Sequence, residues 1–568
     1  MSVETPRWTL ADTLWALGLG LIALALRALF LFSNEGAGWP HSALYEGDAP
    51  VWIQWARALR ASQPFEFDLP VRAPGMAFLI EAAGGDLRAP FTALKFALCA
   101  CGGATVALFF VGLRAWATPR VAGIAAGLLA LSFGQLELAT SLNNEAPYLL
   151  LVVAALALHG WTRERRSLSI ALALGALHGC ANLLRSEHVA LVAGLLALEV
   201  LRARSQWRGA LGRAALTALG LVAVSAPWMF RSHAAIERFN TVEARPIPWE
   251  AARPAWSPQA RAALQQLPAF SREGLFLMLS DRQRRAGATR VEQEDLARLL
   301  DETFGYRPEP LAAWTLSSAK GQLDFALANE LSGDGGFTRA ALSDEFDVDP
   351  PFAFGRPSHL KLWNHGYGIA FERMRANPAA WTALAGAKLA RFGDGLLGGL
   401  GAENWPCGLE LARAPVDLAV ARTRSVVWWG TSIAVGFVGL VLALRRRVGG
   451  DWLLWLAFKL VLTLAFYGYA RQGVTAQPAL YLFAALALDA GLALVPRHLA
   501  QWLVRPVVIV GLLAAASVGL SAFDTRRFDV RPLAGARIVP AQQWGSGGFE
   551  CQGALELSPA PDGTMGER

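Results

Sequence analysis

The sequence predicts an all-α polytopic membrane protein with about eleven transmembrane helices. Three observations carry that expectation. Of 568 residues, 54% are hydrophobic and only 17% are charged, whereas a soluble globular chain has about a quarter of its residues charged. Apolar runs near the ~18 residues needed to cross a bilayer recur along the chain. Arginines, which dominate the net charge of +7, cluster in the connections between alternate runs. That clustering marks cytoplasmic loops. It lacks the basic face interleaved with aromatic residues that a nucleic acid requires.

Taken in order, spans are expected near 9–32, 88–113, 119–138, 146–161, 168–184, 187–201, 210–228, 425–444, 451–469, 474–496 and 503–522. With the N-terminus inside, the arginines at 114 and 120, 163–166, 202–213, 445–447, and 497 and 505 all face the cytoplasm. The assignment requires 379–400, which contains Lys388, Arg391 and Asp394, to lie in the interface as an amphipathic helix rather than cross. The chain then divides into an N-terminal bundle, 1–228, with an outer loop at 33–87. A mostly helical outer region follows at 229–424, then the C-terminal spans at 425–522 and an outer tail at 523–568. The first span has no small-residue cleavage site, so it is expected to remain as an anchor. Within the outer region, "VEQEDLARLLDETFG" (291–305) has the apolar spacing of a helix. The acidic run "SDEFDVDP" (343–350) lacks the glycine and terminal glutamate of a calcium loop and reads as a solvated loop.

Cys99, Cys101 and Cys180 fall in apolar runs and are expected to be buried small hydrophobes. Cys407 and Cys551 are expected outside, and whether they pair stays open. No metal-ligand spacing of Cys or His appears, and no cofactor is implied; assistance by a divalent metal stays open.

The candidate site residues are polar groups on the outer side. Asp48 precedes a short helix with Pro50 in its first turn; it is either an N-cap or a general base held in place by that cap. Glu46 is a solvated neighbour or a second acidic group that orients an acceptor. Trp52 lies one helical turn beyond Asp48. Arg72, before "APG", is a phosphate ligand or a snorkelling interfacial arginine. Arg231 and His233 follow the seventh span on the side where positive charge is sparse, contacting headgroups or a substrate. Arg471, in the late outer turn, binds phosphate or anchors the interface. Arg185, Glu187 and His188 share a short turn, most simply as a local ion pair. Glu145 caps the fourth span or lines a cavity. Arg27 and Glu81 lie near membrane depth, where an ionisable group is a functional hypothesis by default and mutual pairing is open.

The order of these elements resembles the GT-C glycosyltransferases, in the branch of protein O-mannosyltransferases and lipid A aminoarabinose transferases. The resemblance rests on Asp48, Trp52, Ala56 and Leu59 followed by "VRAPGMAFL" (71–79), and on "TSLNNEAPYLLL" (140–151) and "GCANLLRSEHVALV" (179–192). It continues through "APWMFRSH" (226–233), "ANPAAWTALAGAKLARF" (376–392) and "YARQGVTAQPALYLFAAL" (469–486). Trp52 stands where that family often has tyrosine, and "GDA" replaces its frequent Asp-Glu pair. The resemblance implies a GT-C type bundle with interfacial helices in the first outer loop. It also implies inverting transfer of a hexosyl or pentosyl unit from a polyprenyl-phosphate donor to a lipid, glycan or protein acceptor. The site would face the periplasm from a bacterial inner membrane, among membrane lipids and without nucleic acid. The chemistry fits: an acceptor hydroxyl needs one base, while a phosphate leaving group needs cations rather than an acid.

Two other functions fit a many-span chain with a large outer loop. An O-antigen ligase or polymerase would depend on late-loop groups such as Arg356, His359 or His365. A non-catalytic lipid-linked-sugar flippase would place polar groups and broken helices near the bilayer midplane.

Overall fold

The computed structural model describes residues 8–33, 49–60, 69–83, 92–162, 167–203, 206–241, 246–250, 252–312, 314–344, 350, 352–399, 432–494, 536–538 and 555–557. Glu46, Asp48, Cys407, Cys551 and the expected span 503–522 lie outside the described residues. The protein is predominantly helical, as expected of an integral membrane chain. Among the described residues, four helices are long and apolar enough to cross a bilayer alone: Leu10–Leu29, Ala93–Arg114, Trp207–Thr241 and Ala470–Leu494.

Helix α1 (Leu10–Ser33) runs beside α4 (Thr92–Arg114), with α2 (Ala49–Arg60) and α3 (Gly75–Ala82) between them in sequence. Where α1 begins and α4 ends, Arg114 donates to both carboxylate oxygens of Asp12, at 2.6 and 3.2 Å. The same end of the bundle holds Arg120 with Asp489 and Arg202 with Asp451. Arg114, Arg120 and Arg202, three of the arginines expected to share a face, thus sit at one end.

The expected span 119–138 is a broken one. Helices α5 (Pro119–Leu131) and α6 (Phe133–Thr140) meet at Ser132, whose backbone is extended, and bend by 59°. Backbone groups freed in a bilayer must find new partners. Ala130 O accepts from Arg27 Nη1 at 3.4 Å, Ser132 Oγ donates to Gln477 Oε1 at 2.8 Å, and Gln135 Nε2 donates to Val474 O at 2.8 Å. Arg27 therefore serves the break instead of pairing with Glu81, which meets Arg60 at 3.2 Å.

Helices α7 (Glu145–Thr162), α8 (Leu168–Leu184), α9 (His188–Ala203) and α10 (Trp207–Thr241) follow. Close approach of α8 and α10 rests on glycines: a Cβ on Gly175 would strike Thr217 O and lie 2.9 Å from Gly220 Cα. A Gly175→Ala protein is expected to lose ~1–3 kcal/mol of stability by overpacking. Gly123→Ala, where a Cβ meets nothing within 4 Å, should change little. Thermal unfolding in detergent compares the two. Cys99 is buried as expected, but Cys180 on α8 is exposed on the protein surface, in an apolar helix where lipid is its natural neighbour.

Helix α10 does not end near 228. It continues through Pro227 to Thr241, so Arg231 and His233 sit on a helix rather than in a loop. The extension is held by residues that follow it in sequence: Trp228 Nε1 donates to Ser317 O at 2.9 Å, and Ile236 is buried with Leu323 and Leu360. The stretch between α10 and α16 adds α11 (Pro258–Gln265), α12 (Ala269–Arg285), α13 (Gln293–Arg298), α14 (Gly321–Ala328) and α15 (Pro357–Ala376). The expected helix 291–305 begins late, because Val291 is in strand β2 (Arg290–Val291), pairing in parallel with β1 (Ala255–Trp256). Glu292 and Asp295 then form a capping box, and the helix passes into a π-helical turn at Leu299–Phe304.

Helix α16 (Pro378–Gly398) covers the segment expected to form a helix at 379–400, with Asn377 Oδ1 accepting from Ala380 N at 3.1 Å. A helix at 432–446, α17, precedes α18 (Gly450–Ala465) and α19 (Ala470–Leu494). Carbonyls at the end of α18 are satisfied by side chains from the stretch before α17. Leu464 O accepts from Lys388 Nζ at 3.0 Å and Ala465 O from Asn329 Nδ2 at 2.8 Å. Strands β3 (Ala536–Ile538) and β4 (Leu555–Leu557) pair antiparallel in the tail, a departure from a purely helical chain.

Candidate functional site

Opposite the arginine-rich end, four helix termini meet: the start of α7, the end of α8, the start of α9 and the start of α19. The turn before α7 is built for this meeting. Asn143 Oδ1 accepts from Glu145 N at 3.0 Å, and Asn144 Nδ2 donates to Leu184 O at 2.7 Å, tying α7 to α8. Glu145 enters the first turn of α7, where the helix dipole favours a carboxylate.

Arg185 closes α8 and is the centre of an ion cluster. Its guanidinium donates to Oε1 of Glu145 and to Oε1 of Glu187. Arg471 Nε stands 3.5 Å from the same Glu145 oxygen, its guanidinium 4.5 Å from the centre of the Tyr469 ring. Glu145 is fully buried, and the arginine side chains are only 11% and 12% exposed. Burial pushes the Glu187 carboxyl up, but Arg185 and then Lys459 outweigh it, so it titrates below the usual range. The expected local ion pair of Arg185 and Glu187 is present and is part of something larger. His188 belongs elsewhere: its Nδ1 lies 3.0 Å from Tyr148 Oη and its Nε2 lies 2.9 Å from His178 Nδ1.

A second cationic group adjoins the first. Residues 69–72 run against 317–320, with Ala319 N donating to Pro70 O at 2.8 Å and Ser318 Oγ to Val71 O at 2.9 Å. This pairing brings Arg72 and Lys320 together. Lys320 Nζ is 3.2 Å from Asp324, yet burial, then the charge of Arg72, pull its amine down to about 8; Arg471 also bears on it. Lys320 thus lies within electrostatic reach of both Arg72 and Arg471.

The remaining expected residues sit beside this region. Trp52 is buried on α2 with its indole Nε1 lacking a hydrogen-bond partner, and Trp55 packs on Ala77 and Trp228. Arg231 lies over the Trp228 ring at 4.9 Å, and His233 stacks on Trp314 at 4.0 Å. Gly75, at the start of α3, admits Leu183 O so closely that a Cβ would lie 2.7 Å from it. The helix that directly follows Asp48 in sequence is therefore seated, through α3, on the segment that carries Arg185.

Lys459, Lys320 and Tyr148 had no place in the sequence-based expectation. A lone lysine inside the apolar run 451–469 carries the same signal as Arg27 and points to Lys459; nothing local marks Lys320. Lys388 and Arg391 have structural partners: Lys388 Nζ also donates to Asn329 Oδ1 at 2.9 Å, and Arg391 Nε donates to Asp334 O at 3.2 Å. His359 is fully buried with both ring nitrogens engaged, Nδ1 accepting from Ala353 N and Nε2 donating to Leu342 O. Arg356 pairs with Asp344 at 3.3 Å. No group of three or more His, Cys, Asp or Glu among the described residues has metal-binding geometry.

No family model matches the chain, and no curated protein matches it. Solved structures do. An oligosaccharyltransferase of Archaeoglobus fulgidus in the apo form is 13% identical over 92% of this chain and 57% of its own, with a TM-score of 0.43. The AglB oligosaccharyltransferase of the same organism, in complex with an inhibitory peptide and a dolichol-phosphate, is 13% identical over 91% and 56%, with a TM-score of 0.41. ArnT from Cupriavidus metallidurans, bound to undecaprenyl phosphate, is 14% identical over 84% and 78%, with a TM-score of 0.33. The chain spans less than two thirds of the oligosaccharyltransferases' length. The solved structures it is similar to are GT-C fold glycosyltransferases, the group whose motifs its sequence resembles.

Proposed function

We propose that the protein is an inverting membrane glycosyltransferase. It moves a hexosyl or pentosyl unit from a polyprenyl-phosphate donor to an acceptor on the non-cytoplasmic face, the periplasmic side of a bacterial inner membrane. The observation that supports this reading best is the gathering of Arg72, Arg185, Lys320 and Arg471, from parts of the chain far apart in sequence, at one end of the bundle. A phosphate at the bilayer surface is the anion such a group suits, with the polyprenyl tail among the helices. Asp48 takes the proton from the acceptor as general base, and Glu46 orients that acceptor. Arg72, Arg471, Arg231 and His233 hold the donor headgroup, with Trp52 packed beneath it. The engagement of both His359 nitrogens in backbone hydrogen bonds favours this reading over a ligase dependent on that residue.

The decisive experiment incubates the purified protein with radiolabelled polyprenyl-phosphate sugars and candidate lipid, glycan or peptide acceptors. Transfer of label with inversion at the anomeric carbon is expected; no transfer from any lipid-phosphate sugar defeats the reading.

The position of Lys320 adds a pH dependence. Its amine is protonated below about 8 and neutral above, while a phosphate monoester, with its second pKa near 6, keeps its full charge over that range. Affinity for farnesyl phosphate should therefore fall between pH 7 and 9, by ~3–10-fold for one lost charge near the surface. A Lys320→Arg protein should show a flatter profile in the same titration.

A further inference from the structure

We infer that Asp324 and Tyr467 form the subsite for the sugar of the donor, recognising a monosaccharide through its ring hydroxyls. This rests on the donor reading just given. In such a donor the phosphate joins the polyprenyl tail to the sugar. With the tail among the helices of the bundle, the sugar lies on the far side of the phosphate. Asp324 and Tyr467 stand away from the core of the bundle. Asp324 is on α14, next to Leu323, and Leu323 is buried with Tyr467, Leu69 and Ile236 in a cluster separate from the apolar core of the spans.

Both residues adjoin the cationic groups. Asp324 Oδ2 is 3.2 Å from Lys320 Nζ, one helical turn earlier. Tyr467 lies in the turn between α18 and α19, its ring 5.1 Å from that of Tyr469, which the Arg471 guanidinium faces at 4.5 Å. Val71, beside Arg72, packs against the cluster that buries Tyr467. A phosphate held by Lys320 with Arg72 or Arg471 therefore has Asp324 and Tyr467 as neighbours.

The chemistry of the two side chains fits a sugar better than a phosphate. A carboxylate beside a phosphate-binding lysine weakens the pull on an anion, so phosphate binding alone gives Asp324 no role. The carboxylate is 23% exposed, and beyond Lys320 it has acceptor capacity for adjacent hydroxyls. Tyr467 is 8% exposed, and among the described residues its buried hydroxyl has no hydrogen-bond partner. That costs stability that phenylalanine would avoid. Burial, then the charge of Asp324, raise its phenol well above the ordinary tyrosine range, so it stays a donor. A sugar hydroxyl both donates and accepts, and so can satisfy the carboxylate and the phenol together.

The test compares ligands of equal charge on the full chain in nanodiscs. Methyl farnesyl phosphate has the tail and the phosphodiester but no sugar; the others are the farnesyl phosphate esters of mannose, glucose, N-acetylglucosamine and arabinose. The unaltered protein is expected to bind at least one sugar ester ~10-fold or more tightly than methyl farnesyl phosphate. Asp324→Asn should cut that preference ~10-fold and Tyr467→Phe ~3–10-fold, as loss of a charge-assisted and of a neutral hydrogen bond implies. A residue that only supports the fold would change both ligands alike and leave the preference where it was. Tyr467→Phe should also unfold at the same temperature as the unaltered protein or above it, and it decides alone if Asp324→Asn does not fold. An unchanged preference in either folded variant overturns the inference. So does an unaltered protein that prefers no sugar ester. Failure of the unaltered protein to bind any of the five ligands overturns the donor reading itself, a different result from either of these.

Discussion

An Asp48→Asn protein should bind the lipid-phosphate donor as the unaltered chain does and transfer its sugar ~10²–10⁴-fold more slowly, the usual worth of a general base. The substitution separates the two roles proposed for the position. As a cap before the helix that starts at Ala49, asparagine serves as well as aspartate, so the start of α2 and the seating of Trp55 on Trp228 should survive. An amide cannot take a proton from an acceptor hydroxyl, so only the chemical step is lost. Asp48→Ala removes cap and base together and should lose ~1 kcal/mol of stability besides. The measurement is single-turnover transfer of a radiolabelled sugar, with donor binding followed in parallel. Full transfer by Asp48→Asn would eliminate the proposed mechanism, and a loss of donor binding to match would show a structural aspartate. Because a departing phosphate needs no proton, no second carboxylate should behave in this way.

Much of the helical plan was legible from the sequence, because a bilayer imposes long apolar runs and sorts arginines to one side. The ends of α4, α7, α8 and α19 fall within a few residues of expectation. The misses have local causes. The break at Ser132 leaves no mark in hydropathy, since its polar partners, Arg27 and Gln477, come from helices remote in sequence. The continuation of α10 past Pro227 depends on the later segment that grips it through Trp228, Ile236 and Asn240, the last accepting from Leu311 N at 2.9 Å.

The candidate site was legible in its types and less so in its pairings. From the sequence, Arg72 and Arg471 are expected in outer turns, but it cannot show that Lys320, on a stretch with no motif, stands near both. It marks Arg185 and Glu187 as neighbours, whereas Glu145 enters their cluster through the asparagine turn that ties α7 to α8. Contacts of that kind are properties of the packed bundle. They become predictable only once neighbouring helices are known.

Arg185→Met should be the most destabilising charge substitution among the described residues, costing ~3–5 kcal/mol, the usual penalty for breaking a buried pair from one side. The reason is what remains behind. Glu145 is fully buried, its Oε2 has no hydrogen-bond partner, and Oε1 would keep only Arg471 at 3.5 Å. Glu187 would lose the guanidinium that holds its carboxyl ionised against burial. Each carboxylate must then stay charged without its partner or take up a proton. Neutralising both, as Arg185→Met with Glu145→Gln and Glu187→Gln, should recover most of the loss, because an uncharged buried group of similar volume is often no less stable than an ion pair. The comparison is Arg60→Met: Arg60 and Glu81 are 47% and 32% exposed, so breaking that pair should cost ~0–1 kcal/mol. Thermal unfolding of the four proteins in one detergent gives the ranking. A small effect of Arg185→Met would mean that water reaches Glu145 and Glu187, and a water-filled cluster would bind phosphate far more weakly than the proposed reaction needs.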